Sequence, residues 1–306
     1  MKSKESALEI REISKLYGET VAIDRLSFQV PRGVIYGLLG PNGAGKTTTL
    51  ECIEGLRVPD SGSIRVMGVD PVAHPRSLWD VIGVQLQTSG LPETMTSREA
   101  LAFFSRYHGN PPDFSVLDRF ALTAKANDQY ANLSTGQKRR LALALAVAHE
   151  PDVLFLDEPT AGLDVESRME LHAMMGELRE AGKTIILATH DMAEAEKLCD
   201  TIAIIIRGRL AVIGTPSQIT AAGDKRTRIT ISTVRGTVAS RKPKIPDATL
   251  IEAADGYVRY YSENPARPVA ALLSMLEDED DELLDLRVER PTLEERFVEI
   301  TRRNEE

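Results

Sequence analysis

The sequence predicts an α/β fold with a buried, mostly parallel sheet, followed by a smaller α+β unit. Three observations carry this expectation. Short apolar β-branched runs recur as Val34 to Leu39, Val153 to Leu156, Thr184 to Thr189 and Ile202 to Ile206, without the alternation of a half-solvated strand. Helical patterns separate the later runs, as parallel neighbours require. After Gly214-Thr215-Pro216 the character changes: Ile229 and Ile231 alternate, and Asp255-Gly256 sits between two strand-like runs as a hairpin signal.

In chain order, Leu8 to Leu16 and Val21 to Val30 read as an N-terminal β-subdomain, with Pro31-Arg32-Gly33 as the turn into the first core strand. From Leu91 to about Glu150 helical patterns replace strand patterns, which predicts a helical subdomain inserted into the sheet order and ending at Pro151. Pro268 to Leu276 reads as a helix, and Thr292 to Ile300 as another, opened by a capping box between Thr292 and Glu295. The expected division is therefore 1–218 for the large domain and 219–306 for the small one. Glu277 to Glu282 is an unbroken acidic run, expected as a solvated loop between helix and strand. No internal repeat is visible.

A chain of 306 residues with 42% hydrophobic content can bury a sizeable core. The formal charge of -9 argues against a surface built to neutralise many phosphates, so no nucleic-acid partner is expected. Cys52 and Cys199 stand far apart and outside any paired motif, which leaves a disulfide framework or zinc site nothing to build on. Met1 to Glu9 has no apolar core of signal-peptide length, and no stretch reaches bilayer-spanning length. A cytoplasmic protein is expected.

Gly40, Pro41, Asn42, Gly43, Ala44, Gly45, Lys46 and Thr47 fit the pattern G-x-x-x-x-G-K-[ST], placed after a strand and before a helix. The glycines let backbone N–H groups turn toward phosphates, and the helix N-terminus adds partial positive charge. Lys46 reaches the β- and γ-phosphates, Thr47 offers a hydroxyl to Mg²⁺, and Thr48 is placed against a phosphate oxygen. Gly55 ends the helix.

Val153 to Leu156 leads into Asp157 and Glu158, an apolar strand ending in two carboxylates as in the Walker B arrangement. Asp157 suits Mg²⁺, and Glu158 suits orientation and deprotonation of an attacking water. Leu133-Ser-Thr-Gly-Gln137 precedes a helix, and Ser134 with Gln137 has capping-box spacing. A helix start with a hydroxyl and a close-approach glycine, Gly136, can also present itself to an anion.

Together with Asp157-Glu158-Pro159 some twenty residues on, this segment resembles the L-S-G-G-Q signature of ABC ATPases. The resemblance covers about Leu8 to Gln218, with its parts in family order. It implies a P-loop NTPase (ABC ATPase) core that binds ATP and Mg²⁺. It implies that Tyr17 stacks on adenine, that Gln87 contacts Mg²⁺ or water and links to a permease, and that Asp164 belongs to the D-loop. It also implies that His190 is the switch histidine. Gln85 competes for the Gln87 role; the family pattern puts the glutamine five residues after Ile82. Thr135 departs from the family by replacing the first signature glycine, whereas Gly136 is kept. Arg139 and Arg140 follow on the signature helix, on a face that is either solvated or part of a dimer contact.

In that family the signature of one subunit completes the ATP site of another. An ATP-dependent head-to-tail homodimer is therefore implied, with integral-membrane permease subunits as partners and a position on the inner face of the cell membrane. Arg290 to Val298 resembles the tail of daunorubicin-type and multidrug-resistance export ATPases, which favours export of drugs or other hydrophobic or amphiphilic compounds. A soluble ABC ATPase that remodels ribosomes or DNA is the alternative; such proteins usually carry tandem cassettes, a long coiled coil or zinc cysteines, and none is visible in this sequence. A GTPase is disfavoured because no N-K-x-D motif occurs.

Overall fold

The structure is a computed structural model that describes residues 6–86, 90–222 and 226–305. The chain divides into two compact units, Met1–Pro216 and Ser217–Glu306.

The first unit opens with β1 (Ser6–Tyr17) and β2 (Thr20–Pro31), an antiparallel hairpin. Gly18 turns it at φ +59. Next come β3 (Ile35–Leu39), α1 (Lys46–Ile53), β4 (Ser61–Val66), α2 (Pro75–Val81) and β5 (Ile82–Gln85). β4 pairs with the free edge of β1 to make a three-stranded sheet in the order β2-β1-β4. The helical stretch holds α3 (Ser97–Tyr107), α4 (Ser115–Arg119) and α5 (Thr135–Val147). Then follow β6 (Val153–Asp157), α6 (Val165–Glu180), β7 (Thr184–Thr189), α7 (Met192–Leu198), β8 (Thr201–Ile206) and β9 (Arg209–Gly214).

The second sheet has the order β5-β6-β7-β3-β8-β9, parallel except for β9 at its edge. Every residue of β3, β6 and β7 is buried, which explains their unbroken apolar runs. Register places Leu39 opposite Thr189 and Asp157 opposite Ala188, so three neighbouring strands end together. That shared carboxyl edge is where ligands bind in open parallel sheets.

Four elements lack a clear pattern in the sequence: β4, α2, β5 and β9. β5 is only Ile82-Gly83-Val84-Gln85, and its glycine has a packing reason. A Cβ at Gly83 would collide with the backbone carbonyl of Ala146 on α5.

The second unit contains α8 (Pro216–Ala221), whose first residue lies at the division, then β10 (Thr227–Thr233), α9 (Thr237–Arg241), β11 (Thr249–Ala254) and β12 (Tyr257–Ser262). α10 (Ala266–Asp278), β13 (Leu283–Glu289) and α11 (Leu293–Glu305) complete it. Its sheet has the order β11-β12-β10-β13 with all pairs antiparallel. From β10 to β13 this is the βαββαβ topology of ferredoxin-like domains. Ile229, Ile231, Val258, Tyr260, Leu272 and Leu276 form its core. Asp255 and Gly256 turn the β11–β12 hairpin with φ 53 and 79, as a two-residue type I′ loop demands. The Thr292–Glu295 capping box is formed in both directions.

The acidic run differs from the expected solvated loop. Glu277 and Asp278 end α10, and Asp281 is buried, accepting from the backbone N–H of Arg235 (2.8 Å) and of Thr237 (3.1 Å). It anchors the start of α9 because those N–H groups have no helical partner.

Candidate nucleotide-binding and hydrolysis site

The loop from Gly40 to Gly45 leaves β3 and feeds α1, and two of its glycines are sterically required. A Cβ at Gly40 would collide with the Ile205 carbonyl, and one at Gly45 with the Ala22 carbonyl. Gly45 also sits at φ 100 as the N-cap of α1. Ala44 N–H donates to Pro41 O (3.1 Å), and Gly208 N–H donates to Ala44 O (2.9 Å), which ties the loop to the turn between β8 and β9. Asn42 and Gly43 stand exposed at the tip, Thr47 is exposed on the first helical turn, and Thr48 is half-buried.

Lys46 is buried beneath the loop, where its ammonium donates to Gly40 O (2.7 Å) and Pro41 O (3.2 Å). Burial lowers its pKa, and the facing Glu158 and Asp157 carboxylates act in the other direction. A cation wrapped in carbonyls at a helix start is a ready anion cradle.

Asp157 ends β6 and is buried; burial raises its pKa, Glu158 adds to the rise, and Lys46 opposes it. Glu158 leaves the strand in a left-handed conformation (φ 49) while its N–H donates to Ala188 O on β7 (2.9 Å). His190, just past the end of β7, brings Nδ1 to 2.7 Å from Glu158 Oε1. A carboxylate aligned by an imidazole at a strand end can accept a proton from a positioned water.

Ser134 is the N-cap of α5, and its capping box with Gln137 is complete: Gln137 N–H donates to Ser134 Oγ (3.2 Å) and Ser134 N–H to Gln137 Oε1 (2.9 Å). Thr135 is simply the first residue of the helix, so no left-handed backbone is lost with the family's glycine. Gly136 meets its own chain: a Cβ there would lie 2.6 Å from Ser167 Oγ on α6. Arg140 pairs with Glu170 of α6 at 3.0 Å, so its side chain clamps the two helices together. Asp164 caps α6 by accepting from Ser167 N–H (2.8 Å). Tyr17 ends β1 partly exposed, with the Arg57 guanidinium 5.3 Å from its ring centre. Gln87 lies outside the described residues. The structure thus gathers Lys46, Asp157, Glu158 and His190, whereas among the described residues Ser134 makes no hydrogen bond to the phosphate loop.

The burial of Glu194 went unread in the sequence. Glu194 of α7, 2% exposed, accepts from Thr160 Oγ1 (2.7 Å), and the same oxygen lies 3.0 Å from His172 Nε2 on α6. It ties the segment after Glu158 to two helices; the local sequence, a glutamate in a charged helix, gives no sign of burial.

Comparisons with known proteins bear on the family and the fold. A family profile described as "ABC transporter" matches residues 23–161. The Nod factor export ATP-binding protein I of Paraburkholderia xenovorans (strain LB400) is 42% identical over 71% of this chain and 74% of its own length. The chain belongs to the ABC transporter ATP-binding family. The linearmycin resistance ATP-binding protein LnrL of Bacillus subtilis (strain 168) is 33% identical over 97% of this cassette chain and 98% of its own. A solved ATP-binding subunit of an ABC transporter superposes with a TM-score of 0.65 at 30% identity, covering 71% of this chain and 93% of that one. The cassette is accordingly an ATP-binding protein with the ATPase activity of its family, and no helix among its described residues is long and apolar enough to cross a membrane.

Proposed function

We propose that this cassette hydrolyses ATP at the shared edge of β3, β6 and β7 and thereby drives a separate membrane permease that exports hydrophobic or amphiphilic compounds. The carrying observation is the Glu158–His190 contact beside buried Lys46 and Asp157. Lys46 binds the β- and γ-phosphates with the N–H groups of the loop and of α1, and Tyr17 stacks on the base. Glu158 accepts the proton of the attacking water, and His190 holds its carboxylate in line. Thr47 Oγ and Asp157 would supply oxygen donors of the kind Mg²⁺ prefers; burial first, and the Glu158 charge second, raise the pKa of Asp157, and a divalent cation held there would offset both while neutralising phosphate charge. Gln87 is assigned to the same site from the family pattern alone.

Ser134, Gly136, Gln137 and Asp164 serve the site of a second copy. The Ser134 oxygen accepts from its own helix, which leaves the hydroxyl hydrogen to donate to a phosphate held by the partner. Two cassettes then close head to tail around ATP and reopen after hydrolysis. Export is supported by the match to the linearmycin resistance ATPase over nearly the whole chain, including the C-terminal unit. A cleft of about 550 Å³ beside Gln85 and Leu86, between the core and the helical subdomain, suits the permease's docking segment. On this reading the cassette sits on the inner face of the membrane through its partner. Remodelling of ribosomes or DNA is not favoured.

The test is turnover by the purified protein with Mg-ATP. Glu158→Gln should lower kcat by about a hundredfold or more while ATP affinity stays within about threefold. Unchanged turnover would refute Glu158 as the base.

A further inference from the structure

The cleft just described is mostly apolar, yet a carboxyl and an amide stand in its wall without a protein partner. Glu54 is 4% exposed and makes no hydrogen bond or ion pair with any described residue; Gln85 is 1% exposed with both amide atoms unpartnered. Around them stand Trp79, Leu56, Phe104 and Tyr107. A buried amide without partners is costly and a carboxyl in an apolar wall is poorly solvated, so both groups would gain from a ligand that supplies bonds.

The other titratable groups in the lining do not supply them. Lys138 Nζ lies 4.8 Å from the Tyr130 ring centre, and His108 and His149 stack on each other at 3.7 Å. His149 Nε2 is 2.8 Å from Ile82 O. Burial lowers the pKa of both histidines, which keeps them from serving as cations. Glu54 is also the C-cap of α1, where the helix's own carbonyls add negative potential.

Resting on the permease reading above, we infer that this cleft selects a docking helix with an apolar face and one basic side chain, which inserts between the apolar walls to pair with Glu54 while Gln85 bonds beside it. A guanidinium or ammonium fits because it gains a charge-assisted bond in a site shielded from water. Burial, with the Asp157 and Glu51 charges, pushes Glu54 up to about 7; an incoming cation would draw it back down. Because α1 begins at the phosphate loop, this pair would join docking to the nucleotide site through a single helix.

Trp79 is the only tryptophan of the chain, it is 40% exposed, and it lines the cleft, so its fluorescence reports occupancy directly. The probe is a short amphipathic helical peptide with a Leu/Phe face and one central arginine, titrated against the same peptide carrying citrulline or glutamate. The arginine peptide should bind about tenfold more tightly than the citrulline peptide. Glu54→Gln should shrink that ratio to about twofold or less, and Glu54→Lys should turn the preference to the glutamate peptide, in protein whose melting transition shows it folded. Equal binding of the arginine and citrulline peptides, or a preference that survives Glu54→Gln, would overturn cation recognition. No response to any peptide at millimolar concentration would overturn the cleft as a helix-docking groove. The permease reading is judged separately, by co-purification of unaltered cassette with its permease.

Discussion

At the scale of single residues, the site sets opposed charges against burial. Lys46, Asp157, Glu158 and Glu54 are all buried, and each is a group that a soluble domain exposes when it has no ligand to hold. Glu54 yields the clearest stability consequence. Folding raises its pKa from 4.5 to about 7, so the folded chain holds the proton more tightly than the unfolded chain. The protonated form is the one burial tolerates; this contribution is most favourable below pH 4.5 and is lost as pH rises through about 7, by on the order of 3 kcal/mol. Glu54→Gln removes the titration. Melting temperatures of wild type and variant should therefore diverge in the variant's favour between about pH 5 and pH 8. A constant difference across that range would contradict the assignment. The phosphate loop, Asp157 and Glu158 stood out in the sequence because their spacing and strand context are local, whereas His190 entered through the family resemblance. Glu54 and Glu194 did not stand out, because their burial comes from elements distant in the chain, and nothing in a helix such as Lys46–Ile53 foretells what covers its end.

At the scale of elements, the signature helix is fitted to its own chain. Gly136 lets α5 approach α6, with an added Cβ falling 2.6 Å from Ser167 Oγ and 3.1 Å from Ser167 Cβ. In Gly136→Ala the gain in helix propensity, about 1 kcal/mol, opposes this clash. Ser167→Gly removes both clashing atoms. A double-mutant cycle of Gly136→Ala and Ser167→Gly by urea melting should give a coupling of about 1–2 kcal/mol in favour of the pair. Additive effects would show that the contact is slack. The sequence placed Gly136 as a site of close backbone approach, and the structure identifies α6 as one body that approaches. The α5 capping box and the β11–β12 turn were readable from four and two residues respectively. β5 was not, since four residues interrupted by a glycine carry no period.

At the scale of the whole molecule, the chain divides into two compact units between Pro216 and Ser217, and every residue assigned to nucleotide chemistry lies in the first. Ending the chain after Gln218 should leave ATP affinity within about threefold, as measured by fluorescent-nucleotide titration of folded protein. The α+β character of the second unit could be read from its alternation and hairpin. Its ferredoxin-like strand order could not, because order is a property of long-range pairing. The proposed function puts hydrolysis at an interface between two copies, with Ser134 of one expected to face the phosphates held by the other. With buried Cys52 and Cys199 first replaced by alanine, cysteines are introduced as Asn42→Cys and Ser134→Cys in a Glu158→Gln background and oxidised with and without Mg-ATP. A disulfide between chains that runs at dimer size, needs both new cysteines and increases with Mg-ATP is the expected result. In protein verified to bind ATP, a bond formed only within one chain, or one indifferent to nucleotide, would contradict the composite site.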